Sequence, residues 1–197
     1  MSGIVAIVLA AGGSARLGEA KQLVKYRGKT LIRHAAEQAL AAGCSPVIVI
    51  LGAKANECAA ELDGESVHLA HNPDWKSGMA SSIRAGLEAL DRSGSSADAV
   101  LFTLCDQPLV TADILEKIIE AHRASGARIV ASAYGGTLGV PALFSRELFP
   151  ELLALQGDEG ARRVIAAHGD QVVIIANECA AFDIDTPEDR AHLSGDH

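Results

Sequence analysis

A glycine pair, a hydroxyl and two cations stand together near the start of the chain, in Ala10-Ala11-Gly12-Gly13-Ser14-Ala15-Arg16-Leu17-Gly18-Glu19-Ala20-Lys21. Small residues let backbone N–H groups approach an anion closely, and Arg16 and Lys21 add charge that the backbone lacks, so the stretch has the chemistry of a phosphate-holding loop. Two phosphate templates fail on spacing. A Walker A loop needs glycine five residues before Gly28-Lys29-Thr30, and Leu23 stands there. The dinucleotide fingerprint G-x-G-x-x-G fails because Ser14 follows Gly12 by two and Ala15 follows Gly13 by two, which removes the main support for hydride chemistry.

The elements that must position this loop follow from hydrophobic periodicity. Ile4 to Leu9 is a continuous apolar run of strand length, rich in β-branched residues, and the next helical pattern begins only near Thr30. Long ordered loops of this kind are usually functional. Leu31, Ile32, Ala35, Ala39 and Leu40 recur at helical spacing up to a C-capping Gly43. Strands are expected at Val47–Leu51, Val67–Leu69, Ala99–Leu104, Arg128–Ala133, Val140–Phe144, Val172–Ile175 and Ala181–Ile184. Helices are expected at Ala53–Leu62, from Ile83 through Leu90, at Thr111–Ser125, Arg146–Leu155 and Gly160–His168, and from Pro187 onward. Strands alternating with helices imply βαβ units in an α/β fold with a mostly parallel sheet, and ligands at the carboxyl ends of its strands. The loop after the first strand and Asp106 both fall at such ends.

Composition narrows the partners. The 197 residues fit one domain, 1–197, with an aliphatic core, since nearly half are hydrophobic and few are aromatic. A net charge of −8 argues against nucleic acid, whereas a mononucleotide needs only a local cationic patch. Cys44, Cys58, Cys105 and Cys179 are scattered without a C-x-x-C pair, so reduced, mostly buried thiols are expected rather than disulfides or zinc. The apolar N-terminus lacks a basic flank and is too short to span a bilayer, which predicts a cytoplasmic protein with no membrane partner.

Five segments in register resemble one family. They are the L-A-A-G-G-S-x-R-L-G-x-x-K opening, Asn72-Pro73-x-Trp75-x-x-Gly78-Met79-x-x-Ser82, Cys105-Asp106-Gln107-Pro108, Gly157-Asp158-Glu159-Gly160-Ala161-Arg162, and Asp183-Ile184-Asp185-Thr186-Pro187-Glu188-Asp189. Over nearly the whole chain this is similar to the MobA-like nucleotidyltransferases, in particular their molybdenum cofactor cytidylyltransferase branch. The resemblance implies a three-layer αβα sandwich with a Rossmann-like sheet of the nucleotide-diphospho-sugar transferase type. It implies transfer of CMP from CTP to molybdopterin or its molybdenum form, with Mg2+ as cofactor, pyrophosphate as product and a molybdenum hydroxylase as possible recipient.

Within that resemblance Leu9, Ala10 and Ala11 line the base and ribose, Gly12, Gly13 and Ser14 approach the phosphates, and Arg16 and Lys21 stabilise developing charge. The bland reading of either cation is a solvated loop residue. Asp106, at a strand end, is an expected magnesium ligand, because the hard ion favours one or two carboxylates plus phosphate oxygens; a turn-forming aspartate is the other reading. Asp183 and Asp185 alternate on an extended segment and share a face, so one would complete the metal site and the other cap the helix at Pro187. Asn72, Gly78, Ser81 and Ser82 are expected to contact nucleotide or acceptor, with simple N-capping by the serines as the alternative. Trp75 stacks on a ring or fills a gap, and its polar neighbours favour the site. His68 and His71 read as ordinary strand-end histidines. On the acceptor side the implied residues are Gly139, Pro141, Asp158, Gly160 and Arg162. Two departures bear on substrate. The branch's Gly-His-Pro is Gly139-Val140-Pro141 here, and valine cannot hydrogen-bond an acceptor. Ala11 matches the cytidylyl branch, where guanylyl enzymes typically carry glycine. GTP as donor, a sugar phosphate as acceptor, nucleotide-sugar glycosyl transfer and a non-catalytic cofactor chaperone are the rival readings.

Overall fold

The computed structural model describes residues 3–13, 17–186 and 188–189. Its centre is a seven-stranded sheet with β1 (Ile4–Ala10), β4 (Val47–Leu51), β5 (His68–His71), β6 (Ala99–Leu104), β7 (Ile129–Tyr134), β8 (Thr137–Ser145) and β9 (Val172–Ala176), in the order β5-β4-β1-β6-β8-β7-β9. Only β8 runs antiparallel, to β6 and β7, because a tight turn at Gly135 and Gly136, both with positive φ, folds the chain straight back.

Every residue of β1 is buried, and its side chains alternate between two cores. Ala6, Val8 and Ala10 pack under α1 (Leu31–Ala41), α2 (Ala55–Ala60) and α4 (Ala112–Ser125). Val5, Ile7 and Leu9 face α3 (Met79–Arg92), α5 (Phe149–Leu153) and α6 (Ala161–His168). A strand covered on both faces must read as a continuous apolar run, which is what Ile4 to Leu9 shows. Helix α3 lies so close to the sheet that a Cβ on Gly86 would meet Ile7 Cγ2 at 2.8 Å. Helix α1 ends where expected: Gly43, at φ +75°, turns the chain while Cys44 N–H donates back to Ala39 O.

Three expectations are corrected. The long link from β1 to α1 carries structure of its own: a 3-10 turn at Lys21–Leu23 and a two-stranded hairpin of β2 (Lys25–Tyr26) and β3 (Lys29–Thr30). Arg27 and Gly28, both with positive φ, make its two-residue turn, a pair that the residue types hint at only through Gly28. No strand forms at Ala181–Ile184. A 3-10 turn spans Glu178–Ala181, and Ile184 N–H goes to Asp106 O at 3.0 Å while its side chain joins Leu17, Val24, Tyr26 and Leu31 in a small satellite core. The helix expected at Arg146–Leu155 is a 3-10 turn at Arg146–Leu148 followed by the short α5, with Pro150 in its first turn. Glu188 and Asp189 are helical, while Pro187 and 194–197 lie outside the described residues.

Cys44, Cys58 and Cys105 are buried free thiols, and Cys179 is an exposed one. Among the described residues no helix is long and apolar enough to cross a membrane.

Candidate active site

Parallel pairing of β1 with β6 brings Leu9 opposite Leu104, so the loop after β1 and the turn at Asp106 leave the sheet side by side. The Ile184 to Asp106 backbone bond adds the segment carrying Asp183 and Asp185 to the same edge. Because Ile184 points into the satellite core, its two aspartates face the other way, toward the site.

Lys21 closes this arrangement. Its Nζ donates to Asp106 Oδ2 and, at 3.1 Å, to Asp185 Oδ1. Burial disfavours its charge, but the attraction of Asp106 and its hydrogen bonds outweighs that cost, and the ammonium is held charged well above the ordinary lysine range. Burial, then the carboxylates of Asp106 and Asp185, push Asp183 up. Cys105 sits fully buried beside Asp106 and its thiol is pushed far up by burial, so it is no nucleophile.

Two cavities meet at this edge. The first, about 270 Å³, is lined by Leu9 to Gly13, Lys21, Gln22, Trp75, Lys76, Gly78, Met79, Ser82, Leu104 to Asp106 and Asp158. The second, about 160 Å³, is lined by Leu9, Met79, Ile83, Leu104, Gln107, Tyr134, Gly139, Val140, Gly160 to Arg162 and Asp183. Leu9, Met79 and Leu104 belong to both walls, and Tyr134 closes the second by donating from its hydroxyl to Val140 O at 2.9 Å.

The residues singled out from sequence fall into distinct places. Leu9, Ala10, Ala11, Gly12, Gly13, Lys21, Gly78, Ser82 and Asp106 line the first cavity. Trp75 does too, and its ring presses on the loop: a Cβ on Gly13 would lie 2.7 Å from it, and one on Gly52 would meet Ala11 O at 2.6 Å. Ser14 and Arg16 lie outside the described residues.

Asn72 and Ser81 stand behind the cavity instead. Asn72 is buried and its Nδ2 donates to the hydroxyls of Ser81 and Ser82 at 2.8 and 3.1 Å, while Ser81 Oγ donates to Gly78 O at 2.8 Å. Neither serine caps α3, because Gly78 is its N-cap residue and both serines lie within the helix. On the acceptor side Gly139, Gly160 and Arg162 line the second cavity, but Asp158 lines the first, since Gly157 O is pulled onto the start of α3 by Ala80 N–H at 3.1 Å. Pro141 is buried in β8 with its carbonyl accepting from Ser132 Oγ at 2.8 Å, and faces neither cavity. The terminal helix is capped by Thr186 and Asp189, whose carboxylate accepts from Thr186 N–H at 2.8 Å, not by Asp183 or Asp185. His68 and His71 lie exposed on the edge strand β5.

The three aspartates expected at the metal gather at this edge: Lys21 Nζ stands between Asp106 and Asp185, and Asp183 feels the charge of both. Asp106 Oδ1 is buried and has no hydrogen-bond partner among the described residues. Gln22 and Gln107 were not anticipated. Each is a buried amide in a cavity wall, and a polar residue beside an apolar run (Gln22 before Leu23-Val24) was the one available signal.

Comparisons with known proteins bear on the fold and the family. The family model for the MobA-like NTP transferase domain matches residues 6–172. The chain is 33% identical to nicotine blue oxidoreductase of Paenarthrobacter nicotinovorans, covering 96% of both, and 29% identical to molybdenum cofactor cytidylyltransferase of Escherichia coli, covering 96% of the chain and 94% of the relative. Its fold superposes on the crystal structure of Rv0371c from Mycobacterium tuberculosis with TM-score 0.83 at 32% identity, covering 98% of this chain and 97% of that one. The same protein solved in complex with manganese gives 0.77 at 30% identity over the full length of both. With its mostly parallel sheet and a family model that matches most of its length, the chain belongs to the MobA-like NTP transferase family.

Proposed function

We propose that this nucleotidyltransferase moves CMP from CTP to the phosphate of a molybdopterin-type acceptor and releases pyrophosphate. The observation that carries the reading is the meeting of two cavities at Leu9, Met79 and Leu104, with the consecutive residues Asp106 and Gln107 on opposite sides. A donor nucleotide in the first and an acceptor in the second would bring their reacting groups together at Asp106. An acceptor phosphate oxygen then attacks the α-phosphorus, a new P–O–P linkage forms, and the bond to the bridging oxygen breaks with its electrons leaving on pyrophosphate. Such a transfer needs positioning and charge neutralisation rather than a covalent enzyme intermediate. The small loop residues hold the triphosphate, and Lys21 carries fixed positive charge.

Asp106, whose buried Oδ1 has no hydrogen-bond partner among the described residues, and Asp183 or Asp185 fit a Mg2+ ion that takes one or two carboxylates plus phosphate oxygens. When bound, the ion would neutralise charge on the phosphates. The manganese complex of Rv0371c supports a divalent ion in this family. In the second cavity Gln107, Arg162 and Asp183 offer the polar contacts that Val140 cannot, and Ala11 favours a cytidylyl donor.

The test is pyrophosphate release with CTP, GTP, ATP and UTP in turn, with and without molybdopterin, in Mg2+, Mn2+ and chelator. Release with CTP that requires both pterin and divalent ion is expected. GTP or ATP outcompeting CTP overturns the cytidylyl assignment, and release without pterin but with a sugar phosphate moves the acceptor. A parallel arm following oxidation of a reduced nicotinamide tests the redox chemistry in the name of the Paenarthrobacter relative.

A further inference from the structure

We propose that Gln22 is the positioning residue of the phosphate loop, an internal brace that sets the direction of two of its peptide planes; the proposal rests on the nucleotide reading of the first cavity. Gln22 is fully buried, yet it belongs to the cavity wall, and its Nε2 donates to two loop carbonyls, Ala10 O at 2.8 Å and Gly12 O at 2.7 Å. Both amide protons are thereby used, and the pairing with two carbonyls fixes which end of the side chain is nitrogen. Its Oε1 is buried with no partner among the described residues, so the contacts that hold the side chain there are those of its donors.

The consequence lies in the planarity of the peptide. In a trans peptide the carbonyl of one residue and the N–H of the next point in opposite directions. Holding Ala10 O and Gly12 O on the side of Gln22 turns the N–H groups of Ala11 and Gly13 to the other side. The carbonyl between them, Ala11 O, accepts from Ala53 N–H at 3.1 Å, so three successive peptide planes are pinned. The Gly12–Gly13 peptide is otherwise the freest in the loop, since neither residue has a Cβ to restrict it. Unpinned, it could turn the negative end of its dipole toward the triphosphate. The same 3-10 turn that holds Gln22 under the loop sends Lys21 to Asp106 and Asp185, so one short element fixes both the backbone and the charge of the site.

The experiment compares wild type with Gln22→Met, which keeps length and loses both donors, and Gln22→Glu, which keeps shape and sets a carboxylate against two carbonyls. Each is titrated with CTP, inorganic tripolyphosphate and cytidine, and melted. Both variants should bind CTP and tripolyphosphate about tenfold more weakly, with cytidine affinity unchanged. Equal affinity for the two phosphate ligands in a folded variant overturns the brace alone, as does an equal loss for cytidine, which marks general damage. If wild type binds no nucleotide, the nucleotide reading falls and the brace falls with it.

Discussion

Lys21 Nζ bridges Asp106 and Asp185, 85 and 164 residues away in sequence, and so ties the loop after β1 to the end of β6 and to the C-terminal segment with one ammonium. Charge balance at the site depends on it, because burial and then the other two carboxylates already make Asp183 resist ionisation. Lys21→Met should therefore remove transition-state stabilisation as well as nucleotide affinity, lowering kcat/KM for pyrophosphate release by about 10²–10³. Asp106→Asn should lower kcat by a similar factor while leaving the melting temperature within a few degrees. Activity within about threefold of wild type in both variants would remove these residues from the mechanism.

Much of this site was legible because its parts are short-range. The loop reads as glycine, hydroxyl and cation within a dozen residues, and Asp106 reads as a carboxylate at the end of an apolar run. What could not be read was set by tertiary contact. Asp158 follows Gly157, whose carbonyl is drawn onto the start of α3, and no local pattern announces that it lines the first cavity. Ser81 and Ser82 resemble caps because serine favours helix starts, but Gly78 takes the cap position with a φ of +108° that only glycine adopts easily. The Ala181–Ile184 segment has strand composition, but Ile184 is drawn from the sheet by the satellite core under Leu17 and Tyr26.

Gly78 is the tightest backbone contact near the site. A Cβ there would lie 2.2 Å from Gly157 O, a backbone atom, and the residue would also have to hold a left-handed φ. Gly78→Ala should destabilise the fold by about 2–3 kcal/mol, lowering Tm by roughly 4–12 °C. It should also weaken nucleotide binding, since the loop carrying Asp158 must move away. A calorimetric melt with and without CTP checks both, and an unchanged Tm would mean that the 156–160 loop yields freely.

His34 gives the site a pH-dependent support. Its Nε2 hydrogen-bonds Pro108 O at 3.0 Å and its ring meets Tyr26 edge-on at 5.3 Å, linking α1 to the turn that follows Asp106 and Gln107. Burial lowers its pKa below the ordinary 6.5. The unfolded chain then binds a proton more readily than the folded one, so this contribution is intact above about pH 6.5 and is lost as the pH falls through that value toward the folded pKa. Chemical denaturation at a series of pH values should show stability falling below that point in wild type and less steeply in His34→Gln. Parallel slopes would show that His34 does not carry the effect.

Ser81 and Ser82 are adjacent, equally buried and held by the same Asn72 amide, yet they face different tasks. Ser81 Oγ is consumed by the protein, its one proton shared between the carbonyls of Gly78 and Asp74 at 2.8 and 3.0 Å, so it fixes the turn from Trp75 into α3. Ser82 lines the first cavity and, among the described residues, only accepts from Asn72. Ser81→Ala should cost about 1–2 kcal/mol, a Tm loss of roughly 2–8 °C, with KM for the nucleotide unchanged once the protein is folded. Ser82→Ala should do the reverse, raising KM severalfold with a smaller change in Tm, because the hydroxyl lost is one that a bound nucleotide can reach. Steady-state kinetics and melting of the two variants side by side decide the matter, and a Ser81→Ala enzyme with raised KM and an unchanged Tm would reverse the two roles.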